Sequence, residues 1–223
     1  MRNQISPLAA LLACALCCGC AITGTPAREA IEKFEAHIQV QPDGALLVRE
    51  VITVQSTGEN VQHGLWREFP PELTDATGNR RPFEFEVREV QIDGDEAEHF
   101  TWSIPGATRV YIGNRDVTLE PDRHVFSITY STTPLVTDVE DKKALVWHPV
   151  GRGWTLPVKE MKAVFRLPAA ATRGVEATVS AEPEAKDEPA QVETGRRRVE
   201  VTRTTALQPG ERLEVRISWP RTR

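Results

Sequence analysis

The chain has 223 residues, and its 27 basic and 32 acidic side chains give a formal net charge of −5 at pH 7. This acidic excess disfavours nucleic acid and anionic lipid surfaces as partners. All four cysteines lie within the first twenty residues, so the rest of the sequence carries no thiol for a disulfide or a cysteine-bound metal. That remainder is long enough for one sizeable domain or two small ones.

Residues 1–20 have the pattern of a secretory signal peptide. Arg2 supplies the positive start, and an apolar run over residues 8–16 follows it. The run is long enough for a signal peptide and too short to span a bilayer. We therefore expect an exported protein.

The end of this segment resembles a bacterial lipoprotein signal, which finishes in an apolar residue, two small residues and the cysteine that is acylated. Gly19 precedes Cys20 as in that family, whereas Cys17 stands where the family has an apolar residue. We predict that Cys20 carries the acyl chains, palmitate among them, with Cys18 as a second candidate. A plain signal cleaved nearby and an uncleaved anchor are the alternatives. Two acyl chains hold a protein stably on a membrane, so we expect the protein on the cell membrane or outer membrane, facing the periplasm or the exterior.

Cleavage before Cys20 would change the charge only slightly. Loss of the signal removes Arg2 and no acid, which leaves 26 basic and 32 acidic side chains and a net charge of −6. Residues 21–33 are predicted to be a short N-terminal linker with a short helical piece near 27–33, and the folded domain is predicted over 34–220. A redox or metal pair of Cys14 and Cys17 is disfavoured because both lie in the segment that is removed.

From residue 34 onward, apolar and polar side chains alternate, which indicates strands with one face in a core and one in water. The segments 34–40 and 46–54 are separated by Pro42-Asp43-Gly44. Proline presets the backbone angle and glycine takes the positive one, so we predict a β-hairpin here. The same alternation, with turn residues between segments, predicts further strands at 83–92, 99–104, 109–112, 124–131, 144–148, 160–167, 174–180, 197–203 and 212–219.

Many short strands without a long helical period predict an all-β protein. The expected architecture is an antiparallel β-sandwich, immunoglobulin-like in general outline, in a single domain. Residues 181–195 interrupt the pattern because they are rich in Glu, Asp, Pro and Ala and have little to bury. We predict an acidic loop there. An interdomain linker is the alternative, but the few strands after it would make a poor domain alone.

Two clusters of aromatic and charged residues, at 63–71 and 145–157, stand out from the regular strands. For their tryptophans, packing in the core or at its end is the stronger interpretation, and a ligand-stacking platform is the alternative. The residues predicted as a candidate binding surface are His63, Trp66, Arg67, Trp147, His148 and Trp154.

These clusters carry a resemblance to a known family. Its motifs are a hairpin turn followed by an aliphatic-Arg-Glu strand, a His-Gly-aliphatic-aromatic-Arg segment ending in proline, a His-aromatic-x-Ile-x-Tyr strand after an Ile-Gly turn, and a Trp-Asn-x-x-Gly-x-x-Trp segment leading to Leu-Pro. The matching residues here are Pro42 to Gly44, Leu46 to Glu50, His63 to Arg67, Pro70, Ile112, Gly113, His124, Phe126, Ile128, Tyr130, Trp147, Gly151, Trp154, Leu167 and Pro168. Over roughly residues 30–220 the chain resembles the N-terminal region of predicted bacterial membrane proteins of the domain-of-unknown-function family 2207.

The resemblance implies an extracytoplasmic domain and supplies no activity. His148 stands where the family usually has asparagine. Family members generally continue into transmembrane helices, whereas this sequence stops at Arg223, so we expect attachment through Cys20 instead. A sequence that ends just before the first membrane helix is the alternative.

The sequence shows no catalytic or metal-binding constellation. Its histidines are scattered without a short ligand spacing, and it has neither a Gly-x-Ser-x-Gly elbow nor a phosphate-binding glycine loop. We therefore expect no cofactor, no metal and no enzyme activity. The five histidines are His37, His63, His99, His124 and His148.

The expected function is a recognition or assembly module at the cell envelope. Its expected partners are the membrane, through the lipid anchor, and an envelope protein. A carbohydrate- or peptide-binding sandwich is the alternative, and an envelope hydrolase whose residues converge only in the fold is a further one. An exposed aromatic patch containing Trp66 or Trp154 would favour binding, whereas histidines and carboxylates converging in a cleft would favour an enzyme.

Overall fold

The computed structural model describes residues 28–171, 173–182 and 190–221, so the predicted signal peptide and Cys20 lie outside the described residues. The described part is built from strands alone, and the predicted all-β fold is confirmed. No segment within these ranges forms a helix long and apolar enough to cross a membrane. In chain order the strands are β1 (Ala30–Val40), β2 (Leu46–Gln55), β3 (Gly64–Phe69), β4 (Glu72–Thr74), β5 (Arg80–Pro82), β6 (Phe85–Ile92), β7 (Asp95–Glu96), β8 (His99–Ile104), β9 (Ala107–Gly113), β10 (Arg123–Thr132), β11 (Thr137–Val139), β12 (Lys142–Trp147), β13 (Val158–Arg166), β14 (Glu176–Glu182), β15 (Gln191–Thr194), β16 (Arg198–Arg203) and β17 (Arg212–Pro220).

The strands pair into one large sheet and three smaller ones. The large sheet has eight strands in the order β15-β16-β13-β1-β2-β10-β6-β7. A four-stranded sheet has the order β11-β12-β17-β14, a three-stranded sheet has the order β3-β9-β8, and β4 pairs with β5. The predicted hairpin is β1–β2, with Gly44 at a φ of +89° in its turn.

One pairing in the large sheet departs from the predicted antiparallel arrangement. β1 and β13 run parallel, with Phe34 opposite Met161 and Ile38 opposite Phe165. Parallel neighbours need a long crossover connection, and here the whole segment from β2 to β12 lies between the two strands. The alternation within a strand does not report the direction of its neighbour, so the sequence pattern could not show this pairing.

The core lies between the large sheet and the smaller sheets. Along β1, Phe34, Ala36 and Ile38 are buried, whereas His37 and Gln39 on the other face are exposed. Buried apolar side chains from the eight-, four- and three-stranded sheets form a single hydrophobic cluster, which is the packing of a β-sandwich. Each large apolar side chain buried in this way contributes about 1.5–3 kcal/mol. The immunoglobulin-like outline stays a prediction.

The N-terminal end of the domain differs from the sequence prediction. β1 begins at Ala30, so residues 30–33 are extended, and both the helical piece near 27–33 and the linker boundary at 33 are corrected. The pairing of β1 with β2 shifts register between Ile31 and Lys33. Such a bulge adds one residue to the strand and breaks the period of two. The alternation of apolar and polar residues therefore did not indicate that the strand begins at residue 30.

The predicted acidic loop at 181–195 is shorter than expected. β14 continues to Glu182 and β15 begins at Gln191, while residues 183–189 lie outside the described ranges. β15 is the edge strand of the large sheet and pairs with β16. An edge strand with polar side chains needs little apolar content, so composition alone did not indicate it.

The cluster at 63–71 contains a strand, β3, that the alternation did not predict. Leu65, Arg67 and Phe69 face inward, and Trp66 and Glu68 face outward. A charged residue therefore occupies an inward position and a large aromatic residue an outward one. This inverted polarity removes the hydrophobic alternation on which the prediction depends.

Candidate functional site

The six candidate residues fall into three environments. Arg67, Trp147 and Trp154 are buried, with relative exposures of 3%, 3% and 6%. Trp66 is half-buried on the outward face of β3, and His63 lies just before that strand with Nδ1 2.9 Å from the backbone oxygen of Val117. His148 follows β12 in the wall of a pocket. The structure therefore does not bring all six residues onto one surface.

Arg67 forms a buried ion pair with Glu50 on β2. Its Nε donates to Glu50 Oε2 at 2.7 Å and its Nη2 donates to Oε1 at 2.9 Å, while the Tyr130 hydroxyl donates to Oε1 at 2.7 Å. Burial alone would lower the pKa of Arg67, but the charge and hydrogen bonds of Glu50 raise it well above its ordinary value. Burial and the neighbouring Glu50 also raise the pKa of Tyr130 well above 10.0. This cluster links the large sheet to the three-stranded sheet.

The segment between β12 and β13 packs directly on this ion pair. Arg67 Nη1 donates to the Glu68 carbonyl at 2.8 Å, and its guanidinium lies 5.7 Å from the Trp154 ring. A Cβ at Gly151 would lie 2.9 Å from Arg67 Nη1, and one at Gly153 would lie 2.5 Å from Glu68 Cβ. Both positions therefore need glycine because of close approach. Each of the four motifs that carry the family resemblance contributes to this cluster, through Glu50, Arg67, Tyr130, and Gly151 with Trp154.

A pocket of about 280 Å³ opens beside this packed cluster. Its apolar wall includes Phe69, Leu73 and Phe83, and Trp147 and His148 form part of the same wall. The volume is near the lower end for sites that bind small molecules. It suits one side chain or one terminal residue of a larger ligand.

Two arginines at this pocket converge on a single carboxylate. Arg152 Nη2 and Arg212 Nε each donate to Glu182 Oε2 at 2.9 Å. The hydrogen bond from Arg212 lowers the pKa of Glu182. The Arg152 and Arg212 side chains are 53% and 29% exposed, so both can be reached from solvent. Sequence analysis missed these arginines because they come from distant segments that no local spacing connects.

His148 is held in its neutral form. Burial and the nearby charge of Arg212 lower its pKa to about 4, against the opposing effect of Glu214, whose Oε2 lies 3.4 Å from Nε2. Both ring nitrogens of His148 and the Nε1 of Trp147 are buried without a hydrogen-bond partner among the described residues. Buried polar groups of this kind normally have a partner in the protein, an ordered water or a ligand.

A second surface feature lies on the outward side of the three-stranded sheet. Trp66 on β3, Tyr111 on β9, and Phe100 and Trp102 on β8 pack ring against ring, with centroids 4.6–5.1 Å apart. We call these four residues the aromatic face. Of these four residues only Trp66 was predicted as a candidate. The spacing of Phe100 and Trp102, two residues apart on one strand, was the sequence feature that could have indicated a shared aromatic face. The pairing of β3, β9 and β8 brings them together.

The histidines do not form a cluster in the described part of the chain. His124 bonds Asp93 through Nδ1 at 2.8 Å and lies 2.8 Å from the Glu120 carbonyl through Nε2. Within residues 28–171, 173–182 and 190–221, no group of three or more His, Cys, Asp or Glu side chains is placed to hold a metal ion. Cys20, the predicted lipidation site, lies outside these ranges.

Comparison with known families identifies the domain. Residues 30–219 match the family described as "Predicted membrane protein (DUF2207) N-terminal domain", and the chain belongs to this family. A curated relative, the uncharacterized protein YciQ of Escherichia coli (strain K12), is 26% identical over 140 residues. That match covers 62% of this chain and 22% of the relative, so the chain spans about a fifth of the curated relative that it matches.

Solved structures show where else this fold occurs. Native leukotriene A4 hydrolase from Saccharomyces cerevisiae matches with a TM-score of 0.51 and 11% identity, over 84% of this chain and 29% of the hydrolase. The yeast LTA4 hydrolase in complex with bestatin matches with a TM-score of 0.53 and 10% identity, over 86% of this chain and 31% of the hydrolase. At this identity the likeness shows a shared fold and carries no activity to this chain.

Proposed function

We propose that this member of the DUF2207 N-terminal domain family is an exported, lipid-anchored recognition module that binds an organic carboxylate with an apolar body, such as the C-terminal residue of a peptide. The pattern of residues 1–20 supports export and attachment through Cys20, toward the periplasm or the exterior. The apolar wall and the two arginines of the pocket beside β3 support a ligand that has both a carboxylate and an apolar body. Binding, without catalysis, is the role proposed for it.

The convergence of Arg152 and Arg212 on the Glu182 carboxylate carries this proposal. Two arginine side chains that point at one carboxylate form a ready site for another, because guanidinium groups match carboxylate geometry. Glu182 is itself part-exposed, at 37%, so a ligand carboxylate can compete for its place. In the bound state the ligand carboxylate would accept hydrogen bonds from both arginines, and the Glu182 carboxylate would turn into solvent.

The apolar wall of the pocket supports an attached hydrophobic body. Phe69, Leu73, Phe83 and Trp147 lie on this wall, and Trp147 Nε1 has no hydrogen-bond partner among the described residues. A small apolar pocket with a few convergent polar groups is the usual form of a ligand site. A C-terminal residue with an aromatic or aliphatic side chain offers both parts in one group.

The proposal is tested by comparing N-acetyl-L-phenylalanine with N-acetyl-L-phenylalaninamide, which differ in the carboxylate. Hydrogen bonds to a charged group contribute about 1.5–3 kcal/mol, and each 1.4 kcal/mol is about tenfold in affinity. We expect the acid to bind at least about tenfold more tightly than the amide in isothermal titration calorimetry. Equal affinity of the two compounds, or binding of neither, would contradict the proposal.

Variants of Arg152 and Glu182 test whether the acid binds in this pocket. Arg152→Met should weaken binding of the acid, whereas Glu182→Gln should strengthen it because the internal competitor loses its charge. Arg166→Met serves as the matched control, since Arg166 is exposed on β13 of the large sheet and does not line this pocket. Weakening by Arg166→Met equal to that by Arg152→Met would indicate a nonspecific charge effect.

A further inference from the structure

The aromatic face is partly exposed: Tyr111 is buried, whereas Trp66 and Trp102 are half-buried. Phe100 is 37% exposed, and Val117, in the loop after β9, is 53% exposed. The Val117 carbonyl lies 2.9 Å from His63 Nδ1, directly before β3, so this side chain belongs to the same end of the domain as Trp66. Among the described residues, the one other large apolar side chain with comparable exposure is Leu47 on the large sheet.

Arginine side chains cover the rings of this face. The guanidinium of Arg109 lies 5.5 Å from the Trp66 ring and that of Arg115 lies 5.1 Å from the Phe100 ring. Each of these two rings therefore has a guanidinium group beside it. Tryptophan and tyrosine beside arginine, with an apolar body and a polar rim, match the chemistry of the membrane interface.

The start of the domain lies close to this face. The Glu29 carboxylate accepts hydrogen bonds from the backbone of Thr57, Glu59 and Asn60, at 3.0, 3.1 and 2.7 Å. This loop runs directly into β3, and Asn60 and Trp66 line a common pocket of about 260 Å³. The entry of the chain into the domain and the aromatic face are therefore at the same end.

The length of chain before Glu29 limits how far this end can lie from a membrane anchor. Cys20 precedes Glu29 by nine residues. A fully extended chain spans at most about 3.6 Å per residue, so an acyl group on Cys20 holds Glu29 within about 32 Å of the bilayer surface. The anchor therefore keeps the N-terminal end of the domain, which carries the aromatic face, near the lipid.

We infer that the aromatic face, together with Val117, docks against the headgroup region of the bilayer to which Cys20 attaches the chain. This inference rests on the lipid anchor of the proposed function. Docking would orient the domain so that Trp66, Phe100 and Trp102 enter the interface and Arg115 meets lipid phosphates and carbonyl oxygens, while Arg109 keeps its ion pair with Glu68. The acidic net charge is compatible with a zwitterionic surface, because aromatic residues need no anionic lipid to partition there.

The test uses the full chain, purified after export and reconstituted into phosphatidylcholine vesicles whose acyl chains carry bromine near the headgroup. Bromine quenches tryptophan emission at close range, and Trp147, Trp154 and Trp219 are buried in the core. We expect quenching in the wild-type protein and its loss in the Trp66→Phe/Trp102→Phe variant, which keeps aromatic packing. Phe100→Ser/Val117→Ser should also reduce quenching. Leu47→Ser is the matched control, because Leu47 on the large sheet is about as exposed as Phe100, and it should leave the quenching unchanged.

Vesicle flotation separates this inference from the anchor. A protein that floats with the vesicles without quenching would overturn docking and leave the anchor intact. Quenching that persists in Trp66→Phe/Trp102→Phe would also overturn docking. So would a change in tryptophan emission when soluble oligosaccharides are added to the protein in place of vesicles. Quenching retained by Cys20→Ser would support docking and contradict the anchor.

Discussion

At the scale of single residues, the buried guanidinium of Arg67 places the strongest demand on its surroundings. A charge taken out of water is stable only when its partner and its hydrogen bonds are in place. Glu50 and the Glu68 carbonyl supply them, and the Tyr130 hydroxyl donates in turn to the Glu50 carboxylate. The ion pair therefore constrains how β3 sits against β2 and β10, and this constraint explains an arginine at an inward position.

Arg67→Met would leave the Glu50 carboxylate buried without its charged partner. We expect the free energy of unfolding to fall by about 3–5 kcal/mol, measured by urea denaturation. Adding Glu50→Gln should recover part of the loss, because no unpaired charge would remain. Arg88→Ala, which breaks the exposed pair with Glu86, is the control and should cost less than about 1 kcal/mol. A loss no larger than in this control would contradict the role of the pair.

His148 makes the stability of the domain depend on pH. Its pKa is about 4 in the folded protein because of burial and the charge of Arg212, and 6.5 is the ordinary value. Between these values the unfolded chain binds more protons than the folded one, so stability falls as pH falls from 6.5 toward 4. One pKa unit corresponds to about 1.36 kcal/mol, which makes the full loss on the order of 3 kcal/mol.

His148→Asn should remove this dependence, because asparagine does not titrate. We expect the melting temperature of the wild-type protein to drop more between pH 7 and pH 4.5 than that of the variant. His124 has a raised pKa and so adds the opposite slope, but it is present in both proteins and cancels in the comparison. An equal drop in melting temperature for the two proteins between pH 7 and pH 4.5 would show that His148 is not buried in its neutral form.

At the scale of elements, β3 is the strand that positions both surface features. Its inward residues enter the ion pair and the pocket, and its outward residues enter the aromatic face. The strand begins at Gly64, which faces Gly113 on β9. Both glycines have positive φ values, +153° and +137°. A side chain at Gly64 would overlap the Ile112 carbonyl, so the two strands can approach only with glycine there.

Gly64→Ala should therefore loosen the pairing of β3 with β9. We expect a loss of stability of at least about 2 kcal/mol, from backbone strain and overlap with the neighbouring strand. Gly195→Ala is the control, because a Cβ there meets its nearest neighbour at an ordinary 3.6 Å, and its effect should stay within about 0.5 kcal/mol. Thermal unfolding of the two variants makes the comparison. Equal melting temperatures would mean that the strand start tolerates a side chain.

At the scale of the whole molecule, the proposed attachment through Cys20 makes a prediction about membrane association. Cys20→Ser should abolish incorporation of a fatty-acid analogue and release the protein from the membrane fraction, because Cys20 is the cysteine preceded by a small residue in the expected place. Cys18→Ser, at the second candidate, is the matched control and should keep the label. Undiminished labelling of Cys20→Ser would contradict the anchor.

The local pattern of the sequence was enough to predict most of the longer strands, although not β3 or β15. Period-two alternation and turn residues placed β2, β10 and β17 close to their observed bounds, because the pleat of a strand depends on neighbours along the chain. The family resemblance was likewise visible in short motifs and is confirmed over residues 30–219. These features need no knowledge of which strands lie side by side.

Only the tertiary structure decided which side chains meet. Tyr130 and Glu50 are 80 residues apart, and Glu182 and Arg212 are 30 residues apart, yet each pair is joined by hydrogen bonds. The antiparallel pairings of β2 with β10 and of β14 with β17 bring these two pairs together, and the order β3-β9-β8 assembles the aromatic face. Charged and aromatic side chains carry no periodic signal for distant partners. The sequence by itself therefore determined most of the longer strands and the family, whereas the ion pair, the two arginines at the pocket and the aromatic face depend on how the sheets pack.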